Sequence, residues 1–141
     1  MGLHLSRALA RAGYEVRTLD IHRPGPGADP DWEFVEADVR DADAMAKAVK
    51  QMDVVVDNAA LVPVTRSDPE TYRSVNVDGC RTTLEAARRH DVYTLHISSS
   101  AIYGIPKELP ILPTTPLAPF EPYGESKVVA EIVVAEARCN G

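Results

Sequence analysis

Apolar and polar positions follow two different periods along this chain. Some segments place apolar residues every three or four positions, as on one face of a helix, whereas others alternate or run together as in strands. The first pattern predicts helices over 2–12, 41–50, 68–89 and from 121 or 122 to about 138. The second predicts strands over 14–20, 32–36, 53–58 and 92–98. Helices and strands therefore alternate.

Residues that favour helix ends stand at the predicted boundaries. Gly13 suits the end of the first helix, Asp41 the N-cap of the second, and Pro69 the first turn of the third. Two stretches rich in proline or glycine, 24–30 and 104–122, predict irregular loops.

Strands that alternate with helices are typical of βαβ units, whose right-handed crossovers build a parallel sheet. We therefore predict an α/β fold with a doubly wound parallel sheet, and the length of 141 residues allows one domain over 1–141. Such sheets bind ligands at the carboxyl ends of their strands. Polar residues lie at or just past four predicted strand ends: Asp20, Asp38, Asn58 and Ser99.

Composition narrows the class of protein. The net charge of −6 and the absence of a Lys/Arg cluster argue against a nucleic-acid surface. No apolar run approaches the roughly 18 residues that a membrane span needs, and the N-terminus lacks the order of a signal peptide, so we expect a cytoplasmic protein. Cys80 and Cys139 show no clustering with histidine and are interpreted as reduced thiols, with no metal site.

The candidate chemistry lies in Tyr-Gly-Glu-Ser-Lys at 123–127. Tyr123 and Lys127, four residues apart, would share one helix face, where the ammonium stabilises the phenolate. A hydroxyl from the serine run 98–100, at a strand end, could hold a substrate oxygen that loses its proton. The alternatives are an exposed helix pair worth a few tenths of a kcal/mol and a simple strand-end turn.

Taken together, the motifs resemble the extended short-chain dehydrogenase/reductase family, the NAD-dependent sugar epimerases and dehydratases. The resemblance covers nearly the whole chain and is carried by residues 2–5, 19–20, 37–39, 57–60, 75–79, 97–104 and 123–127. It implies a Rossmann fold, NAD as cofactor, a nucleotide-sugar or other small hydroxylated substrate, and a homodimer in the intact parent protein.

The chain also departs from the family pattern at both ends. The family opens with a buried strand and a turn, commonly Gly-x-x-Gly-x-x-Gly, of which Gly2 matches the last glycine. The chain stops close to the Tyr123–Lys127 helix, before the substrate-binding part. We therefore expect a truncated Rossmann domain. The missing central strand lowers its stability, because each unsatisfied buried backbone group costs about 1–3 kcal/mol. The missing glycine turn leaves it with weak NAD binding or none.

The resemblance assigns cofactor contacts to residues near the strand ends. Gly2, at a helix N-terminus, would face the pyrophosphate. Asp20 would accept hydrogen bonds from the adenosine ribose and favour NAD over NADP. A turn residue is the alternative, and nearby Arg23 keeps NADP open.

Five further residues near the strand ends belong to the expected cofactor site. Asp38 would bind the adenine amino group while Val39 covers the ring; an acidic turn residue before a helix is the alternative. Asn58, Ala59 and Ala60 would let the backbone approach the cofactor closely, or simply form the exit from a strand.

The catalytic assignment by resemblance is Ser99, Tyr123 and Lys127. Tyr123 would take a hydroxyl proton, Lys127 would bind the nicotinamide ribose, and Ser99 would orient the substrate oxygen. Family dehydratases carry Asp-Glu directly after this serine, whereas this chain has Ser100 and Ala101, which disfavours elimination. Epimerisation is expected; simple alcohol or ketone oxidoreduction, or a non-catalytic fragment, are the alternatives.

Overall fold

The computed structural model describes residues 1–25, 32–64 and 67–139, and it contains every predicted helix and strand. The helices are α1 (Gly2–Arg11), α2 (Ala42–Val49), α3 (Pro69–Arg73), α4 (Gly79–Arg89) and α5 (Pro122–Cys139). The strands are β1 (Arg17–Asp20), β2 (Glu33–Glu36), β3 (Val54–Asp57) and β4 (Tyr93–His96).

The strands are shorter than predicted, and β1 shows why. Residues from 14 onwards were expected in this strand, but the Tyr14 amide donates to the Leu9 carbonyl 3.2 Å away and so still belongs to the end of α1. Residues 104–121 form no helix or strand, and α5 begins at Pro122, as predicted. Most of the predicted loop 24–30 lies outside the described residues.

The strands form two parallel pairs. β1 pairs with β2, starting with Arg17 opposite Glu33, and β3 pairs with β4, ending with Asp57 opposite His96. Within the described part of the chain, no backbone ladder joins one pair to the other. The predicted parallel direction is confirmed, and the separation of the pairs is the arrangement expected if a central strand is missing.

A shared hydrophobic cluster joins the two strand pairs. Its buried members come from α2, α4 and the segment after β2: Val39, Met45, Val49 and Ala86. Leu19 of β1 and Val55 of β3 both pack against it. The pairs are therefore held together through the helices that pack on both of them. Burial of apolar surface in this cluster contributes about 25 cal/mol of stabilising free energy per Å² removed from water.

The opposite face of the β3–β4 pair is largely open. Val54, Tyr93 and Leu95 are 48%, 66% and 47% exposed. Much apolar strand surface therefore remains available for burial.

α3 and α4 are parts of one long helix interrupted by a π-helical turn, Ser74–Asp78. Asp68 caps its start, with a side chain that accepts from the Thr71 amide, and Pro69 follows in the first turn as predicted. Gly79 follows the π turn, where an added Cβ would lie 2.5 Å from Cγ1 of Val39. Glycine therefore lets the chain after β2 pack directly on the helix.

Among the described helices, none is both long and apolar enough to cross a lipid bilayer.

Candidate active site

A buried acid–imidazole pair lies at the carboxyl ends of β3 and β4. Asp57 and His96 are the last residues of these strands and face each other in the ladder. Their Oδ2 and Nδ1 atoms are 2.7 Å apart, and the two side chains are only 2% and 7% exposed. A parallel ladder thus places two titratable groups side by side in the interior.

Lys127 reaches the same place from α5. The residue is 3% exposed, and its Nζ donates to the Ile97 carbonyl at 2.7 Å and lies 3.1 Å from Nε2 of His96. This burial excludes the alternative of an exposed helix pair for Lys127. Burial lowers the pKa of Lys127, while the negative charge of Asp57 opposes that change.

Cys80 of α4 completes this buried group. Its Sγ lies 3.6 Å from Nδ1 of His96, so the expectation that the cysteines and histidines do not cluster is wrong at this point. Burial, reinforced by Asp57, raises the pKa of the Cys80 thiol to about 12, so it stays protonated near neutral pH.

The Asp57–His96 distance also separates hydrogen bonding from metal ligation. Two donors bound to one zinc ion at about 2.0 Å each would lie about 3.3 Å apart in a tetrahedral site. The observed 2.7 Å is a hydrogen-bond distance. The cluster is therefore organised by hydrogen bonds.

Ser99 and Tyr123 lie on segments that pack tightly together. Ser99 caps the 3₁₀ turn Ser100–Tyr103, and its Oγ accepts from the Ala101 amide at 3.2 Å. A Cβ on Gly124 would lie 2.7 Å from the Ala101 carbonyl oxygen, so this glycine allows the turn to abut the first turn of α5. The Tyr123 ring stacks edge-on against Tyr72, with centroids 6.3 Å apart.

Asn76, in the π turn, fastens the loop after β3 to α5. Its Oδ1 accepts from the Leu61 amide at 2.7 Å, and its Nδ2 donates to the Leu61 carbonyl at 3.1 Å and to Oγ of Ser126 at 2.8 Å. Asn76 is 1% exposed. These hydrogen bonds fix the helix that carries Tyr123 and Lys127.

Two of the expected cofactor positions meet at the start of α1. A Cβ on Gly2 would lie 3.4 Å from Nδ2 of Asn58, so the helix N-terminus and the exit of β3 are adjacent. Ala59 is exposed and Ala60 is half-buried in the segment that follows. Small side chains thus border this junction.

The two acidic residues at or just past the ends of β1 and β2 are partly used by local turns. Asp20 is exposed, and its Oδ1 accepts from the His22 amide at 3.0 Å. The Asp38 carboxylate binds the Arg40 amide and guanidinium, and the side-chain hydrogen bonds lower the pKa of Asp38. Val39 is turned into the core, so its backbone alone remains for covering an adenine ring.

The structure thus assembles the predicted residues into two regions and adds two that sequence reasoning missed. Ser99, Tyr123 and Lys127 lie around the carboxyl ends of β3 and β4. Asp57 and His96 were given no role, yet both end neighbouring strands of the predicted sheet. That shared position was the signal that could have paired them.

The chain is similar to known proteins over its whole length. The family model described as NAD dependent epimerase/dehydratase family matches residues 1–141. A UDP-glucose 4-epimerase of Lactobacillus helveticus is 38% identical over 97% of this chain and 44% of its own length. A dTDP-glucose 4,6-dehydratase of Mycolicibacterium smegmatis is 36% identical over 72% of this chain and 32% of its own length.

The fold of the chain is also similar to that of a solved structure. The UDP-glucose 4-epimerase from Brucella ovis, solved in complex with NAD, superposes with a TM-score of 0.87 at 30% identity. The superposition covers 98% of this chain and 44% of that one. The chain thus spans less than half the length of these relatives, and the incomplete Rossmann fold predicted from the sequence is confirmed. The chain belongs to the NAD-dependent epimerase/dehydratase family.

Proposed function

We propose that this chain forms the NAD-binding and catalytic part of an epimerase that acts on a nucleotide-sugar. The observation that carries the proposal is the buried Lys127, held at the carboxyl ends of β3 and β4 on the helix that bears Tyr123. Several relatives, including the Lactobacillus helveticus and Brucella ovis proteins, are UDP-glucose 4-epimerases. A buried amine one helical turn after a phenol on the same helix suits alcohol chemistry better than a structural role.

The described residues fit NAD. Gly2 lies beside Asn58 at the N-terminus of α1, where backbone amides can bind the pyrophosphate. The exposed carboxylate of Asp20 can accept hydrogen bonds from the ribose. Asp38 is the candidate for the adenine end, although Arg40 already shares its carboxylate. When bound, NAD would accept a hydride from the substrate carbon and later return it.

The chain's own residues would manage the proton. Tyr123 takes the proton of the sugar hydroxyl as a general base, and Ser99 holds that oxygen by a hydrogen bond. Lys127 stabilises the phenolate, and the N–H that remains after its two buried contacts can bind a ribose hydroxyl. After the keto-sugar has turned so that a hydride would return to the opposite face of its carbonyl carbon, Tyr123 gives the proton back to the sugar oxygen.

Elimination is disfavoured because Ser100 and Ala101 follow Ser99. Neither supplies the extra acid–base group that removal of water requires, even though a dTDP-glucose 4,6-dehydratase is among the relatives. Simple ketone reduction remains the second candidate. Net turnover of NADH separates the two, because an epimerase returns its hydride.

The longer protein would act as a homodimer in which α5 and the long helix capped by Asp68 pair across the interface. Val129 and Ile132 on α5 are 40% and 52% exposed, and a matching face from a second copy would bury them. Light scattering that finds only monomer at tens of micromolar would contradict this part of the proposal.

The test of the proposal is NAD binding with and without an added strand. We expect calorimetry to show weak or no NAD binding by the chain of 141 residues. A β-strand and Gly-x-x-Gly turn placed ahead of Gly2 should restore binding, because they complete both the sheet and the phosphate cradle. The same extension with its glycines changed to valine is the control. Micromolar affinity without the extension would contradict the expectation, and no binding with it would contradict the proposal.

A further inference from the structure

Three buried titratable side chains form a continuous hydrogen-bonded line that ends at Lys127, one of the candidate catalytic residues. Asp57 Oδ2 lies 2.7 Å from His96 Nδ1, and His96 Nε2 lies 3.1 Å from Lys127 Nζ. All three side chains lie in the interior. The line runs from β3 through β4 to α5, so three separate elements converge on it.

The hydrogen-bonding groups of Asp57 and Lys127 determine which ring nitrogen of His96 carries a hydrogen. An ionised carboxylate only accepts hydrogen bonds, so Asp57 requires a hydrogen on Nδ1 of His96. Neutral His96 then presents the lone pair of Nε2 to Lys127, whose ammonium donates to it. A proton on both ring nitrogens would set two donors against each other at 3.1 Å.

We propose that Asp57 and His96 are positioning residues that keep Lys127 charged and aim its ammonium towards the cofactor and Tyr123. The final step, towards the cofactor, rests on the proposed function. The hydrogen-bonded line does not, because it is formed entirely by this chain.

The charges around Lys127 explain why such support is needed. Burial disfavours the ammonium and lowers the pKa of Lys127. The titratable groups that face it are Asp57 from β3, His96 from β4, Cys80 from α4 and Glu131 from its own helix. Asp57 is the first of these that favours the charged form, and Cys80 stays protonated. Asp57 is therefore the main counter-charge.

Nuclear magnetic resonance of the chain itself tests the proposal. With nitrogen-15 labels on histidine and lysine, His96 at pH 7 should be neutral with its hydrogen on Nδ1, and Lys127 should be charged. Asp57→Asn should lower the midpoint at which Lys127 loses its charge by about one pH unit or more. Asp53→Asn, at an exposed position just before the same strand, should leave that midpoint unchanged.

A second pair of variants separates positioning from packing. The amide of His96→Gln can accept from Lys127 and donate to Asp57, so it should keep most of the midpoint, whereas His96→Leu should lose it. A hydrogen on Nε2, a doubly protonated His96 at pH 7, or an unchanged Lys127 midpoint in Asp57→Asn would overturn the proposal. If a variant fails to fold, the His96 tautomer in the unaltered chain decides alone. None of these readouts uses NAD, so they stand or fall independently of the NAD-binding test.

Discussion

Replacement of Asn76 by alanine should both destabilise the fold and release the loop that leads away from β3. The substitution removes three hydrogen bonds, two to the Leu61 backbone and one to Ser126. A hydrogen bond contributes about 0.5–1.5 kcal/mol, and a buried partner left unsatisfied costs about 1–3 kcal/mol. We therefore expect a loss of about 3 kcal/mol in the free energy of unfolding, a large share of the roughly 5–15 kcal/mol of a typical domain.

Two measurements check this value. Urea unfolding followed by circular dichroism gives the loss of stability, and amide hydrogen exchange at Leu61 reports the loop directly. Ser126→Ala is the comparison variant. It removes one of the three bonds to Asn76 and also the bond from Ser126 Oγ to the Tyr123 carbonyl, so it should cost about 1–2 kcal/mol. A loss below about 0.5 kcal/mol for Asn76→Ala, or unchanged protection at Leu61, would refute the role given to this side chain.

Three further predictions concern packing, reactivity and cofactor choice. Gly79→Ala should destabilise the chain by about 1 kcal/mol in urea unfolding despite the better helix propensity of alanine, because its Cβ meets Val39; a Val39→Ala partner that relieves none of this loss would contradict the contact. Iodoacetamide at pH 8 should label exposed Cys139 and spare Cys80, whose buried thiol has a pKa of about 12, and equal labelling by mass spectrometry would show that Cys80 is accessible. In a longer form that binds NAD, Asp20→Ala should weaken NAD binding and reduce the protein's preference for NAD over NADP, as measured by calorimetry. If the unaltered protein already prefers NADP, Asp20 does not have the role of a ribose ligand that selects NAD.

Local signals predicted most of the fold. Asp41 caps α2 through the Asp43 and Ala44 amides, and Pro69 begins α3, because such preferences depend on a few neighbouring residues. The exact ends of the strands were less predictable, since they depend on hydrogen bonds to other segments. The π turn at Ser74–Asp78 has no comparable local signature and is stabilised by the long-range bonds of Asn76.

The residues of the candidate site that belong to a sequence motif or have a characteristic spacing could be predicted. The pair Tyr123 and Lys127 could be recognised from a separation of one helical turn. The contact of Lys127 with His96 joins residues 31 positions apart, and that of His96 with Asp57 joins residues 39 apart. Such contacts depend on the register of β3 with β4, which the sequence pattern alone did not determine.

The most direct measurement is turnover by a Tyr123→Phe variant in a form of the protein extended to the length of its relatives. With a UDP-sugar as substrate, the variant should lose at least the roughly 10²–10⁴-fold in kcat that a positioned general base contributes, while its circular dichroism stays unchanged. Ser100→Ala, at an exposed position beside Ser99, is the control and should have a mild effect. Near-full epimerisation by Tyr123→Phe would contradict the assignment of this tyrosine as the proton acceptor.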